Sequence, residues 1–97
     1  MSMYRRGYHF ERRVRRYLEE HGFKVFRCAG SKPIDLIALS KDKIYLIECK
    51  ASRKNIKEGA RKLIECSKGA CAVPVIAYRD GKNIVFLDPH TLSEVHL

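Results

Sequence analysis

Asp35 and, thirteen residues on, the triplet Glu48-Cys49-Lys50 put ionisable groups inside two otherwise apolar runs, Ile34-Asp35-Leu36-Ile37-Ala38-Leu39 and Ile44-Tyr45-Leu46-Ile47-Glu48-Cys49-Lys50-Ala51. Charge in such a setting is costly unless it is paired or bound to metal. The polar stretch Ser40-Lys41-Asp42-Lys43 separates the runs. A hairpin centred between Lys41 and Asp42 sets Asp35 opposite Glu48, where Cβ atoms lie about 4.5–5.5 Å apart and like charges repel. A divalent cation removes that repulsion, because hard ions such as Mg²⁺ take carboxylate oxygens. Lys50, two residues beyond Glu48, points to the same face. Each acid alone has a plainer reading, Asp35 paired with Lys32 and Glu48 with Lys50. Two opposed acids with a lysine point instead to phosphodiester hydrolysis. Metal on Asp35 and Glu48 would activate water and polarise a phosphoryl oxygen, and Lys50 would orient that water or stabilise the developing charge. Gly30 and Ser31 would let their loop approach a phosphate backbone, although by themselves they also describe an ordinary turn.

Five strands and two helices are expected to hold these groups. Phe10, Val14, Tyr17 and Leu18 form one apolar face of a helix over Gly7 to His21, with Gly22 as its stop. Glu11 flanks that face, and its spacing predicts an i,i+4 salt bridge to Arg15. Phe23 to Cys28 reads as a strand and Ala29 to Pro33 as a loop. The acid-bearing hairpin follows, apolar on both faces as in a covered sheet. Ile56, Ala60, Leu63 and Ile64 give a second helical stripe, with Asn55 and Glu58 as a capping box and Gly69 at its end. Ala72 to Tyr78 is a strand in which Pro74 implies an edge or a strand start. Asp80-Gly81 predicts a hairpin turn into a strand over Asn83 to Leu87, and the tail from Asp88 is expected to be a turn or short helix. The predicted class is α/β, a central mixed sheet of about five strands flanked by helices in the order α-β-β-β-α-β-β.

Twenty Lys and Arg against eleven Asp and Glu give a net charge of +9 over 97 residues. One domain over residues 1–97 is expected, with a polyanion as partner. Arg5, Arg6, Arg12, Arg13, Arg15 and Arg16 crowd the first helix, and Lys50, Arg53, Lys54 and Lys57 follow the acids. No apolar run reaches the roughly 20 residues that cross a bilayer, and no secretory leader is visible, so no membrane partner and an intracellular location (cytoplasm or nucleoid) are expected. The four cysteines include no C-x-x-C pair, which argues against zinc. Cys28 and Cys49 read as small buried hydrophobes, and Cys66 and Cys71 bracket a helix end, where a disulfide stays open. The four histidines form no spaced cluster.

Asp35…Glu48-Cys49-Lys50 resembles the PD-(D/E)xK motif of restriction-endonuclease-like nucleases. Together with Gly7-x-x-x-Glu11-Arg12, Gly22-Phe23-x-Val25, Arg27-x-x-Gly30-Ser31 and Pro33-Ile34-Asp35, it resembles the archaeal-type Holliday-junction resolvases. That resemblance implies a Mg²⁺-dependent endonuclease, with Mn²⁺ as a substitute ion and no organic cofactor. It implies a homodimer acting on branched double-stranded DNA. It places metal on Glu11, Asp35 and Glu48, overturning the salt-bridge reading of Glu11. It gives Lys50 a catalytic role and Ser31 a role in a moving loop. DNA contacts fall on Arg5, Arg6, Arg27, Ser31, Lys32, Arg53 and Lys54. The sequence departs from the family in carrying no glutamine in the second helix. Two other readings compete: a small endonuclease of the same superfamily acting on nicks, flaps, foreign or damaged DNA, and a non-catalytic DNA-binding module. The acids count against the second, since a mere binder has no use for opposed carboxylates beside anionic DNA.

Overall fold

The computed structural model describes the backbone of residues 3–30 and 33–97, and side chains from Gly7 onward within those ranges. Two helices and six strands follow in order: α1 (Met3–Glu20), β1 (Lys24–Arg27), β2 (Leu36–Leu39), β3 (Ile44–Lys50), α2 (Ile56–Ser67), β4 (Val73–Asp80), β5 (Asn83–Leu87) and β6 (Glu94–Val95). The strands form one sheet in chain order. All neighbours are antiparallel except β3 and β4, which run parallel because α2 carries the chain back between them.

The α1 stripe is as expected: Phe10, Val14 and Leu18 are buried. The helix begins earlier than Gly7 because nothing in Met3–Arg6 breaks it. At its end Gly22 takes φ 91°, a left-handed value that favours glycine. Phe23 N–H then reaches Leu18 C=O at 3.0 Å and Gly22 N–H reaches Glu19 C=O at 3.2 Å, the paired bonds of a Schellman stop.

The predicted hairpin register holds over four pairs, Leu36↔Ile47 to Leu39↔Ile44. Ser40 to Lys43 forms the loop, with Lys43 N–H donating to Ser40 Oγ at 3.1 Å. The ladder stops short of the acids. Asp35 lies one residue before β2, and its N–H donates to Ile47 C=O at 2.9 Å, so the expected strand pair with Glu48 is replaced by a local slip.

Alternation along the strands sorts side chains onto two faces. Val25, Leu36, Ala38, Ile47, Val75, Ala77 and Phe86 meet α1 in the larger core; Ile76, Tyr78 and Leu87 meet Ile56, Ala60 and Leu63 of α2 in the smaller. The expectation of cover on both faces fails at one edge. α2 packs on β3 and β4, so Phe26 and Ile44, on its side of the sheet, remain 56% and 44% exposed.

Other corrections are local. β1 is shorter than Phe23–Cys28, and β4 runs to Asp80, with Gly81-Lys82 as the two-residue loop. Pro74 lies at the start of a central strand, so its edge reading fails. Asn55 is no side-chain cap: it is left-handed at φ 62° and caps nothing with its amide. The tail adds a sixth strand, β6, in place of a turn or helix alone, because Asp88 N–H pairs with Ser93 C=O across the turn. Cys66 and Cys71 are exposed free thiols.

Candidate functional site

β2 and β3 are antiparallel, so the start of β2 and the end of β3 share one end of the sheet, opposite the Ser40–Lys43 loop. That end receives Arg27 from the close of β1, Asp35 from the approach to β2, and Glu48 and Lys50 from β3. Asp35, Glu48 and Lys50 line one cleft of about 710 Å³, walled by Asn55, Glu58, Gly59, Arg61, Lys62 and Glu65 from α2 and its entry.

Asp35 is fixed by the backbone it faces. Its Oδ2 accepts the N–H of Cys49 at 2.8 Å, while its carbonyl accepts the N–H of Cys28 at 2.8 Å. The residue therefore ties the ends of β1 and β3 together and holds its carboxylate at their junction. Glu48 is 6% exposed, and its Oε1 lies 3.0 Å from Lys50 Nζ. This is the same-face pair that the sequence offered as the plain reading, and it stands inside the cleft beside Asp35.

Glu11 does not complete a three-acid cluster. Among the described residues no group of three or more His, Cys, Asp or Glu is placed to hold a metal. Its expected partner Arg15 pairs with Glu19 at 3.5 Å, and Glu11 Oε1 instead accepts from Arg27 Nε at 2.7 Å. Glu11, Arg27, Arg12, Arg15, Arg16 and Tyr8 line a separate, smaller groove, in which Arg12 and Arg27 lie 5.9 and 5.4 Å from the centre of the Tyr8 ring. Glu11 is still within electrostatic reach. Burial raises the Cys49 thiol well above its ordinary range, and the charges of Asp35, Glu11 and Glu48 raise it further. Burial and then Asp35 and Glu11 raise Cys28 as well. Cys49 thus stands with acids on both sides of the sheet.

The remaining expected contacts are scattered. Arg53 sits over the Tyr78 ring at 5.4 Å, and Lys54 is exposed beside it, its N–H donating to Ser52 Oγ at 3.3 Å. Ser31 and Lys32 lie outside the described residues, as do the side chains of Arg5 and Arg6. Sequence reasoning missed the α2 wall, above all Gly59. A glycine inside a helical stripe is unfavourable unless something packs close, and that signal was present. It also missed Tyr8.

Hard carboxylate oxygens suit Mg²⁺, which is commonly held by one or two carboxylates and keeps several waters. Asp35 and Glu48 meet that requirement, and the open cleft leaves room for water and a phosphate.

The family model described as "Archaeal holliday junction resolvase (hjc)" matches residues 2–96. A curated relative, "Crossover junction endodeoxyribonuclease Hjc" of Methanocaldococcus jannaschii, is 42% identical over 94 residues, covering 93% of this chain and 71% of its own. The solved structure of Archaeoglobus fulgidus Hjc, titled a Holliday junction resolvase from an archaeal hyperthermophile, superposes with a TM-score of 0.74 at 21% identity, over 93% of this chain and 78% of that one. This last match speaks for the α/β fold. No helix among the described residues is long and apolar enough to cross a membrane. With residues 2–96 inside one family model and a curated relative 42% identical over 93% of the chain, the chain belongs to the archaeal Holliday junction resolvase family.

Proposed function

We propose that this chain is a metal-dependent endonuclease of one domain that resolves four-way DNA junctions by paired phosphodiester hydrolysis. The observation that carries the reading is the convergence of Asp35, Glu48 and Lys50 on one open cleft, in a member of the resolvase family.

Asp35 and Glu48 would hold Mg²⁺, or Mn²⁺ in its place, and the ion would supply an activated water and a polarised phosphoryl oxygen. The protein does the rest. The Cys49 N–H holds the Asp35 carboxylate in one orientation. Lys50, 3.0 Å from Glu48, presents its ammonium to the phosphate as charge grows there. Arg5, Arg6, Arg27, Ser31, Lys32, Arg53 and Lys54 hold the DNA backbone. Arg27 also engages Glu11 at 2.7 Å in the neighbouring groove, and Glu11 would serve as the third acid.

Two cuts require two sites, and a second copy of the chain supplies the other. The apolar strip around Phe26 and Ile44, left bare by α2, is the surface assigned to that copy.

A cleavage assay with Mg²⁺, offering a labelled four-way junction in competition with a matched linear duplex, tests the reading. Paired symmetric cuts in the junction with the duplex spared are expected. Equal cutting of both would move the function to general DNA processing. Tight binding without cutting would reduce the chain to a DNA-binding module.

A further inference from the structure

We propose that Gly59 is a positioning residue for the Lys50–Glu48 pair, an inference that rests on the reading of those two residues as the site. Gly59 lies on the buried stripe of α2 with Ile56, Ala60, Leu63 and Ser67. Its backbone is not left-handed, so conformation does not call for glycine there, and in a helix interior glycine is the poorer choice beside alanine. Space does call for it. A Cβ at this position would lie 2.8 Å from Lys50 Cε, 2.9 Å from Glu48 Oε1 and 3.4 Å from Lys50 Nζ. At the other five glycines a Cβ would meet nothing within 4 Å.

The atoms in the way decide what a substitution does. All three are the far ends of flexible side chains, so a methyl group displaces them and leaves the backbone where it is. Two of them, Lys50 Nζ and Glu48 Oε1, make the 3.0 Å contact that sets the lysine on the acid. α2 is thus a wall behind the site, held at a distance that only a hydrogen atom permits. A side chain at 59 would push the ammonium and the carboxylate apart without loosening the helix. Stability and activity should therefore respond in opposite directions.

The test uses the full chain as Gly59→Ala, Lys50→Ala and the double variant, with a labelled four-way junction. Single-turnover cleavage is measured with Mg²⁺ and enzyme in excess, and junction affinity without divalent metal. For Gly59→Ala the cleavage rate is expected to fall at least about tenfold, as misplacements of an ångström do in catalytic sites. Affinity should stay within about twofold, since no phosphate contact is removed, and the melting temperature should equal or exceed that of the parent. Adding Gly59→Ala to Lys50→Ala should cost much less than it does in the parent, because the collision with Lys50 is gone and only that with Glu48 Oε1 remains. An unchanged rate overturns the proposal. So does a joint fall of rate, affinity and melting temperature, or a full further loss in the Lys50→Ala background. If Lys50→Ala itself cuts at the parental rate, the assignment of the site falls, which is a separate failure from that of Gly59.

Discussion

Replacing Asp35 by Asn and by Ala separates the two roles of its carboxylate. Oδ2 accepts the part-buried Cys49 N–H at 2.8 Å, and the charge stands near Glu48 in the cleft. Asparagine keeps an acceptor oxygen, so the bond survives as a neutral one, about half as strong as its charge-assisted form. Loss of the charge also relieves repulsion with Glu48. The net change in stability for Asp35→Asn should be within about 1 kcal/mol. Alanine strands the Cys49 N–H without its acceptor, at a cost of about 1–3 kcal/mol. At roughly 4–8 °C per kcal/mol for a domain of this size, thermal melting resolves the two variants easily. Cleavage should fall by more than about 10²-fold in both, the scale of losing an electrostatic group from a transition state. Junction binding should be kept or tightened in Asp35→Asn, since a negative charge near phosphate is gone. Cleavage by Asp35→Asn at the parental rate would refute the site. Equal melting temperatures for the Asn and Ala variants would refute the account of how Asp35 is held.

Three further outcomes are expected. Arg27→Gln should leave melting within about 1 kcal/mol, because the Glu11–Arg27 pair is 44% exposed on the arginine side. It should weaken junction binding and lower the salt slope of log K by about one, which titration at several salt concentrations reads. The raised Cys49 thiol binds its proton in the folded chain at pH values where the unfolded thiol has lost its own. Stability should therefore fall as pH rises above about 8.5, and Cys49→Ala should flatten that fall in melts between neutral and alkaline pH. Phe26→Lys with Ile44→Lys places charge on exposed positions of the surface proposed for a second copy, so the fold should hold while the proposed dimer gives way to monomer in sedimentation and paired cutting is lost; a dimer that persists would move the interface elsewhere.

The local code of this chain reads out most of its fold. The α1 stripe, the Gly22 stop, the register of β2 on β3 and the order of the first seven elements follow from periodicities of 3.6 and 2 and from the residues that break them. Asp35, Glu48 and Lys50 were legible because charge in apolar strands is rare enough to need a reason, and the hairpin arithmetic put them together. What the sequence could not decide depends on distances between elements far apart in the chain. Glu11 meets Arg27 and not Arg15 because the end of β1 passes beside α1, whereas helical spacing knows only neighbours on its own helix. The slip at Asp35 arises because its side chain takes the Cys49 N–H that a regular ladder would pair otherwise. β6 forms because β5 offers it an edge, which two residues alone could not predict. The bare strip at Phe26 follows from how far α2 extends over the sheet. Gly59, a poor residue for a helix interior by propensity, finds its reason only when α2 is set against Lys50 and Glu48. Sequence thus named the candidate groups that the structure gathers in one cleft, since chemistry resides in side-chain type and spacing. Only the tertiary structure fixed which neighbours hold them, because packing between helix and sheet is settled by volume and contact across the chain.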